Sequence, residues 1–169
     1  MTISLYQVSV PVFLARLDAL SHILAKAEAN AAERKIDPQV FLIDRLAPDM
    51  LTLTRQVLIA TDHAKGAGAR LAGRDVPRFE DTETTFSDLQ ARISKTADFL
   101  KSIPASEIDG MEDRHISIKV GPRELSFSAS QYLLGFAMPN FYFHITMAYA
   151  ILRHNGVPLG KLDFFGQSA

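Results

Sequence analysis

Apolar residues recur along the chain at intervals of three and four, the repeat of one α-helical face, in four separate stretches. The first carries Val10, Phe13, Leu17, Leu20, Leu24 and Ala27, with Pro11 either in its first turn or bending it. Asp37-Pro38 follows as a restart, Asp as cap and Pro as first helical residue. The second stretch, Leu46, Met50, Leu53, Val57, Ala60, Ala64, Ala67 and Leu71, predicts a long helix whose alanines admit a close neighbour. Gly66, Gly68 and Gly73 weaken or end it, and Lys65, Arg70 and Arg74 suit the negative end of a helix. After Pro77, Thr85 and Asp88 form a weak capping box for a third helix through Phe86, Leu89, Ile93, Ala97, Leu100 and Ile103, which runs roughly to Lys101 before Pro104.

The period then changes. Ile116, Ile118 and Val120 alternate before Gly121-Pro122, and Leu125 and Phe127 alternate after it, which predicts a short antiparallel hairpin lying across a bundle end or edge. Ser128 or Ser130 caps the fourth helix, with Leu133, Phe136, Asn140, His144, Met147 and Ile151 on one stripe. Leu134, Phe141, Ile145, Ala148 and Leu152 cover its other faces, so this helix is expected to be the most buried, with a bend at Pro139. In the closing GVPLGKLDFFG, Gly156 and Pro158 end the helix and Leu162, Phe164 and Phe165 are expected to tuck against the bundle or another subunit. The fold class is an all-α four-helix bundle with a β-hairpin between helices three and four. It is either up-down throughout or has one long crossover, in a single domain over residues 1–169.

Composition narrows the function more than it defines one. With 169 residues, 47% hydrophobic and 22% charged, the chain is sized for one buried core. The net charge of -1 gives no broad footprint for nucleic acid, and the first twenty residues lack a signal-peptide pattern. Asn140 and His144 interrupt the most apolar stretch, Tyr132 to Leu152, which argues against a membrane span; the expected setting is cytoplasmic. The absence of cysteine excludes disulfides, thiolate catalysis and Cys-ligated metals. Dinucleotide and phosphate-loop fingerprints, the HExxH pair and the GxSxG elbow are absent too.

The candidate chemistry is a set of polar residues on core faces. Asn140 and His144, four apart, project from one side of helix four, and burying either without a partner costs about 1 to 3 kcal/mol. Asp49, Gln56 and His63 recur every seven residues along one flank of helix two and are the candidate partners. If the protein is an enzyme, His144 and His63 are its candidate acid–base groups or metal ligands, with Gln56 and Asn140 positioning a ligand and Asp49 orienting the network. The competing reading is a closed hydrogen-bond network that fixes helix register. Asp62 points roughly 100° away from His63 around the helix, so their adjacency is not a dyad. His22, His115 and His154 read as surface or capping residues.

Two segments, RLAPDMLTLTRQVLIATDHAKGAGARLAG from Arg45 and NFYFHITMAYAILRHNGVPLGKLDFFG from Asn140, together with PRFEDTETTFSDLQARI, resemble the domain-of-unknown-function family 1993 within the DinB-like bundle superfamily. The resemblance covers nearly the whole chain. It implies a four-helix protein, a homodimer, and a metal trio built from one His of helix two and a His-xxx-His pair of helix four. Those positions correspond to Gln56, Asn140 and His144, two departures that weigh against loading with a divalent metal such as Zn, Ni or Mn. The resemblance implies either a small-molecule-binding or enzymatic protein, related to metal-dependent small-thiol transferases or isomerases, or a nonenzymatic dimeric scaffold. No nucleic-acid or membrane partner is expected.

Overall fold

The computed structural model describes residues 3–166. Four long helices, α1 (Val10–Arg34), α3 (Leu53–Ala72), α4 (Phe86–Lys101) and α6 (Met138–His154), form the bundle. Between α1 and α3 lies α2 (Pro38–Leu42), capped as expected by the Asp37 side chain on the Gln39 amide at 2.9 Å. A hairpin of β1 (His115–Val120) and β2 (Arg123–Ser128) precedes α5 (Ala129–Tyr132), and α7 (Lys161–Phe165) closes the described chain. Pro11 sits in the first turn of α1. Thr85 and Asp88 complete the capping box of α4, and Ser128 with Gln131 does the same for α5. In the hairpin Ile118 pairs with Leu125 and Ile116 with Phe127 around Gly121, whose φ of 58° favours glycine.

Helix α3 starts one turn or more later than the periodicity suggests. Leu46 and Met50 keep the spacing, yet residues 43–52 are turns. Pro48 lacks an amide proton and disfavours helix at the preceding residue. Thr52 caps the true start.

Side-chain pairs across the seams give the helix directions. Gln56 meets His144, His63 meets Phe136 and Arg70 meets Tyr132, so α3 and the α5–α6 helix are antiparallel. Asp62 meets Arg92 and Gly68 faces Leu100, so α3 and α4 are parallel. Phe13 packs edge-on against Phe141 at 4.8 Å and Arg34 donates to the Asn155 carbonyl, so α1 and α6 are parallel. The order is therefore up-down-down-up, the form with one long crossover. Residues 73–85 make that crossover, an extended strap that returns alongside α3.

This strap explains which helix is most buried. It is α3, with 14 of its 20 residues buried, whereas α6 has six of 17. Helix α3 is wedged between α4, α6 and the strap, while the last helix leaves Leu134 and Phe143 exposed. Small residues make the wedge possible: a Cβ on Gly68 would lie 2.6 Å from a Leu100 methyl. At the end of the chain only Phe164 tucks in, packing edge-on against Tyr149, while Leu162 and Phe165 stay exposed. Arg16 fastens this turn by donating to the Phe164 and Phe165 carbonyls.

Arg92 locks the strap to both parallel helices. Its side chain is 1% exposed. Nε donates to Thr61 Oγ1 at 2.8 Å, Nη2 to Asp62 at 2.8 Å, and Nη1 to Glu83 at 2.9 Å and the Glu80 carbonyl at 3.0 Å. Asp81 joins at 3.2 Å, and Phe79 lies under Lys65, Lys95 and Arg92. Glu83 Oε2 is buried without a hydrogen-bond partner among the described residues, so Arg92 is the charge that makes burial of this carboxylate tolerable. Replacing Arg92 with Leu is expected to cost on the order of 3 kcal/mol, because it strands Glu83 and unhooks the strap. Urea unfolding checks this; a midpoint equal to that of the parent would contradict it.

Candidate functional site

The heptad on α3 is real but displaced by one level. Asp49 lies in an exposed turn before the helix and joins no part of the site. The ladder instead runs Gln56, His63, Arg70, facing His144, then Phe136 and Asn140, then Tyr132 on the opposing helix. Arg70, which the sequence suggested only as a helix-end charge, is the third rung.

The lowest rung is closed. Gln56 is 1% exposed and His144 9%. Gln56 Nε2 donates to the Leu51 carbonyl at 3.3 Å, which turns Oε1 toward His144 Nδ1 at 2.7 Å. An amide oxygen can only accept, so Nδ1 carries the proton and Nε2 keeps its lone pair. Burial holds the His144 imidazole below the usual histidine range, which keeps it neutral.

His63 is the middle rung. Its ring stacks on His144 with centroids 5.7 Å apart and planes 16° from parallel, and its other neighbour is Phe136 at 6.0 Å. Burial pushes its imidazole down to about 4. The His144 ring and Arg70 add to the fall, and Asp62 opposes it. His63 therefore acts near neutral pH as an uncharged hydrogen-bonding group rather than as a strong base.

Asn140 owes its position to an irregular turn. Residues Leu133–Ala137 form a π turn between α5 and α6, with the Met138 amide donating to the Leu133 carbonyl. Pro139 follows, and Asn140 Nδ2 donates to the Phe136 carbonyl at 2.7 Å. The expected bend at Pro139 thus takes the form of a change in helical register.

Beside the upper rungs the hairpin borders an open surface cavity of about 380 Å³. Asp62, His63 and Arg70 line it from α3, Ile118 and Lys119 from β1, and Tyr132, Phe136 and Asn140 from the last helix. His144 is not part of its lining; it backs the cavity through the His63 ring. Arg70 Nη1 donates to the Tyr132 hydroxyl at 3.1 Å, and burial raises the Tyr132 phenol above its ordinary value, so it remains protonated.

The trio of positions that the family resemblance assigns to metal contains one imidazole. Gln56 Oε1 is engaged by His144 and Asn140 Nδ2 by a carbonyl, and among the described residues no group of three or more His, Asp or Glu side chains converges. The donor set does not fit a three-ligand divalent-metal centre of the kind built from imidazoles.

The four-helix bundle with its hairpin is a DinB-like fold. The chain belongs to the family described as Domain of unknown function (DUF1993), which matches residues 5–165. It is similar to a crystal structure of a DinB family member protein from Shewanella denitrificans, at 39% identity and a TM-score of 0.87, covering 97% of this chain and 93% of that one. No curated protein matches. Among the described residues no helix is long and apolar enough to cross a membrane.

The depressed histidines give stability a defined pH dependence. Unfolded, His63 takes up a proton near pH 6.5; folded, it resists until about pH 4. Its stabilising contribution is complete above the first value and is lost as pH falls toward the second, at most about 3 kcal/mol in all. Substitution of His63 by Phe is expected to flatten the decline in stability over this interval. Urea midpoints measured at a series of pH values check it, and a slope identical to that of the parent would refute the assignment.

Proposed function

We propose that the protein binds a small organic molecule in the cavity under the hairpin, with His63 and Asn140 as contact residues and hydrogen bonding rather than metal coordination as the source of recognition. The observation that carries this reading is the division of the ladder. Gln56 and His144 satisfy one another inside the core, whereas His63 and Asn140 line a cavity of about 380 Å³. That is within the size range of small-ligand sites, which combine an apolar lining with a few fixed polar groups. The closed Gln56–His144 pair supports the register role that a purely structural protein would need, and the two roles coexist on successive turns.

His144 and His63 remain the candidate acid–base pair if the bound molecule is transformed. His144 Nε2 is the basic atom, since Gln56 fixes the proton on Nδ1. The homodimer belongs to the same reading, supported by the exposed apolar side chains Leu134 and Phe143 on the outside of the last helix. So does a cytoplasmic setting, consistent with a chain free of cysteine.

Imidazole proton resonances in solution provide the test. Benzoate, benzylamine and benzamide serve as probes of one shape and three charges, and Zn2+ is titrated separately. At least one organic probe is expected to shift the His63 signals saturably, with about tenfold weaker binding in Asn140→Leu, and Zn2+ is expected to leave both imidazoles unmoved. If all three organic probes leave His63 unperturbed at millimolar concentration, the cavity is not a binding site. Stoichiometric Zn2+ capture at His144 would overturn the metal-free reading.

A further inference from the structure

We propose that Arg70 makes the cavity selective for a small organic anion, its carboxylate held by the guanidinium and its flat body laid on the aromatic floor. This inference rests on the small-molecule reading above and adds the ligand's chemical class.

Three other arginines around α3 are paired with carboxylates. Arg92 is surrounded by Asp62, Asp81 and Glu83, Arg74 by both oxygens of Glu107, and Arg55 by Asp81. Arg70 is half-buried and has no carboxylate in ion-pair range among the described residues. Its one hydrogen bond goes to a neutral phenol, whose ring lies 5.8 Å from the guanidinium carbon. The carboxylate nearest in the lining, Asp62, is already committed to Lys65 at 2.5 Å and to Arg92 at 2.8 Å. Lys119 adds a second cation at the cavity wall. It lies across the ladder from Glu124, whose Oε1 accepts from the Ser117 hydroxyl at 2.7 Å. Arg70 and Lys119 thus line one concavity with Asp62 as the carboxylate of its wall.

Gly66 leaves the room in which the Arg70 guanidinium lies. Glycine inside a helix is less favourable than alanine by about 1 kcal/mol in intrinsic propensity, and Gly66 lies mid-way along the most buried helix. A Cβ built on it would stand 2.5 Å from Arg70 Nη1, and its other neighbour within 4 Å is the guanidinium carbon. Arg70 Nη1 is the far end of a flexible side chain, so a methyl at Gly66 would displace the guanidinium from its place over the Tyr132 ring rather than disturb the helix. In the observed pose Tyr132 accepts a hydrogen bond from Arg70, and the remaining guanidinium N–H groups are the donors left for a ligand.

The floor sets the shape of the ligand. Phe136 and His63, half-buried with ring centroids 6.0 Å apart, form it, while Tyr132 is 1% exposed, stacks behind Phe136 and packs against Phe127. A planar apolar body complements this floor, and a guanidinium fork complements a carboxylate.

Calorimetric titration of the full-length protein with benzoate, benzamide and inorganic phosphate, near neutral pH, tests the proposal. Benzoate is expected to bind at least about tenfold more tightly than benzamide, and Arg70→Gln to remove that preference while leaving the melting temperature near that of the parent. Arg70→Lys should restore it in part. Gly66→Ala, which alters no wall of the cavity, should weaken benzoate and leave benzamide unchanged. Equal affinity for acid and amide, or benzoate binding indifferent to Arg70→Gln, would overturn the anion assignment while the cavity remains a small-molecule site. Binding of neither would remove that site as well. Phosphate competing as strongly as benzoate would refute the role given to the aromatic floor.

Discussion

Two neighbouring helices that run in the same direction cannot be joined by a tight turn, and this constraint organises the molecule. Between the end of α3 and the start of α4 the chain must travel back the length of a helix, roughly 30 Å for twenty residues, with a strap that can extend at most about 3.5 Å per residue. Residues 73–85 have enough reach but little to spare for secondary structure. An extended segment with no ladder partner needs another source of fixation, and the Arg92 guanidinium supplies it by binding strap carboxylates and α3 polar groups at once. The strap in turn covers the outer side of α3, which permits that helix to be mostly buried and lets its other side carry a polar ladder in register with the last helix.

The fold was largely legible because its elements obey local rules. The apolar repeats of α1, α4 and α6, the Asp37-Pro38 start, the Thr85 and Ser128 caps and the alternation around Gly121 each state a local preference that the tertiary structure keeps. The family resemblance reinforced the same reading, as does the match over residues 5–165. Expectation and structure part where a repeat runs across a breaker and where a charge is buried. Leu46 and Met50 continue the spacing of α3 by coincidence across Pro48. Arg92 and Thr96 sit within the buried stripe of α4, with Leu89 and Leu100 on either side, and a cation in that register calls for buried acids. The acids were in view as DTETTFSD, but they read as a capping segment because nothing in one chain says that the strap folds back over α3.

The site was legible in its spacing and misread in its extent. A seven-residue repeat finds Gln56 and His63, and the same repeat carried forward reaches Arg70, while carried backward it reaches only the turn at Asp49. Choosing the direction required knowing where α3 begins. Pairing was also beyond the sequence. The stacked histidines, the Gln56 amide turned by Leu51, and the π turn that aims Asn140 all depend on the antiparallel seam and on a register change at Pro139.

The three rungs form a graded series set by access to water. At the bottom, an amide and an imidazole exclude solvent and answer each other, so the proton on His144 Nδ1 is fixed by geometry. In the middle, His63 loses enough hydration to stay uncharged and offers a neutral face. At the top, Arg70 brings a guanidinium to the cavity wall. With amides at Gln56 and Asn140, where the family resemblance implies imidazoles, the lower level is a closed hydrogen-bonded support, and the cation of the seam stands at the end that lines the cavity.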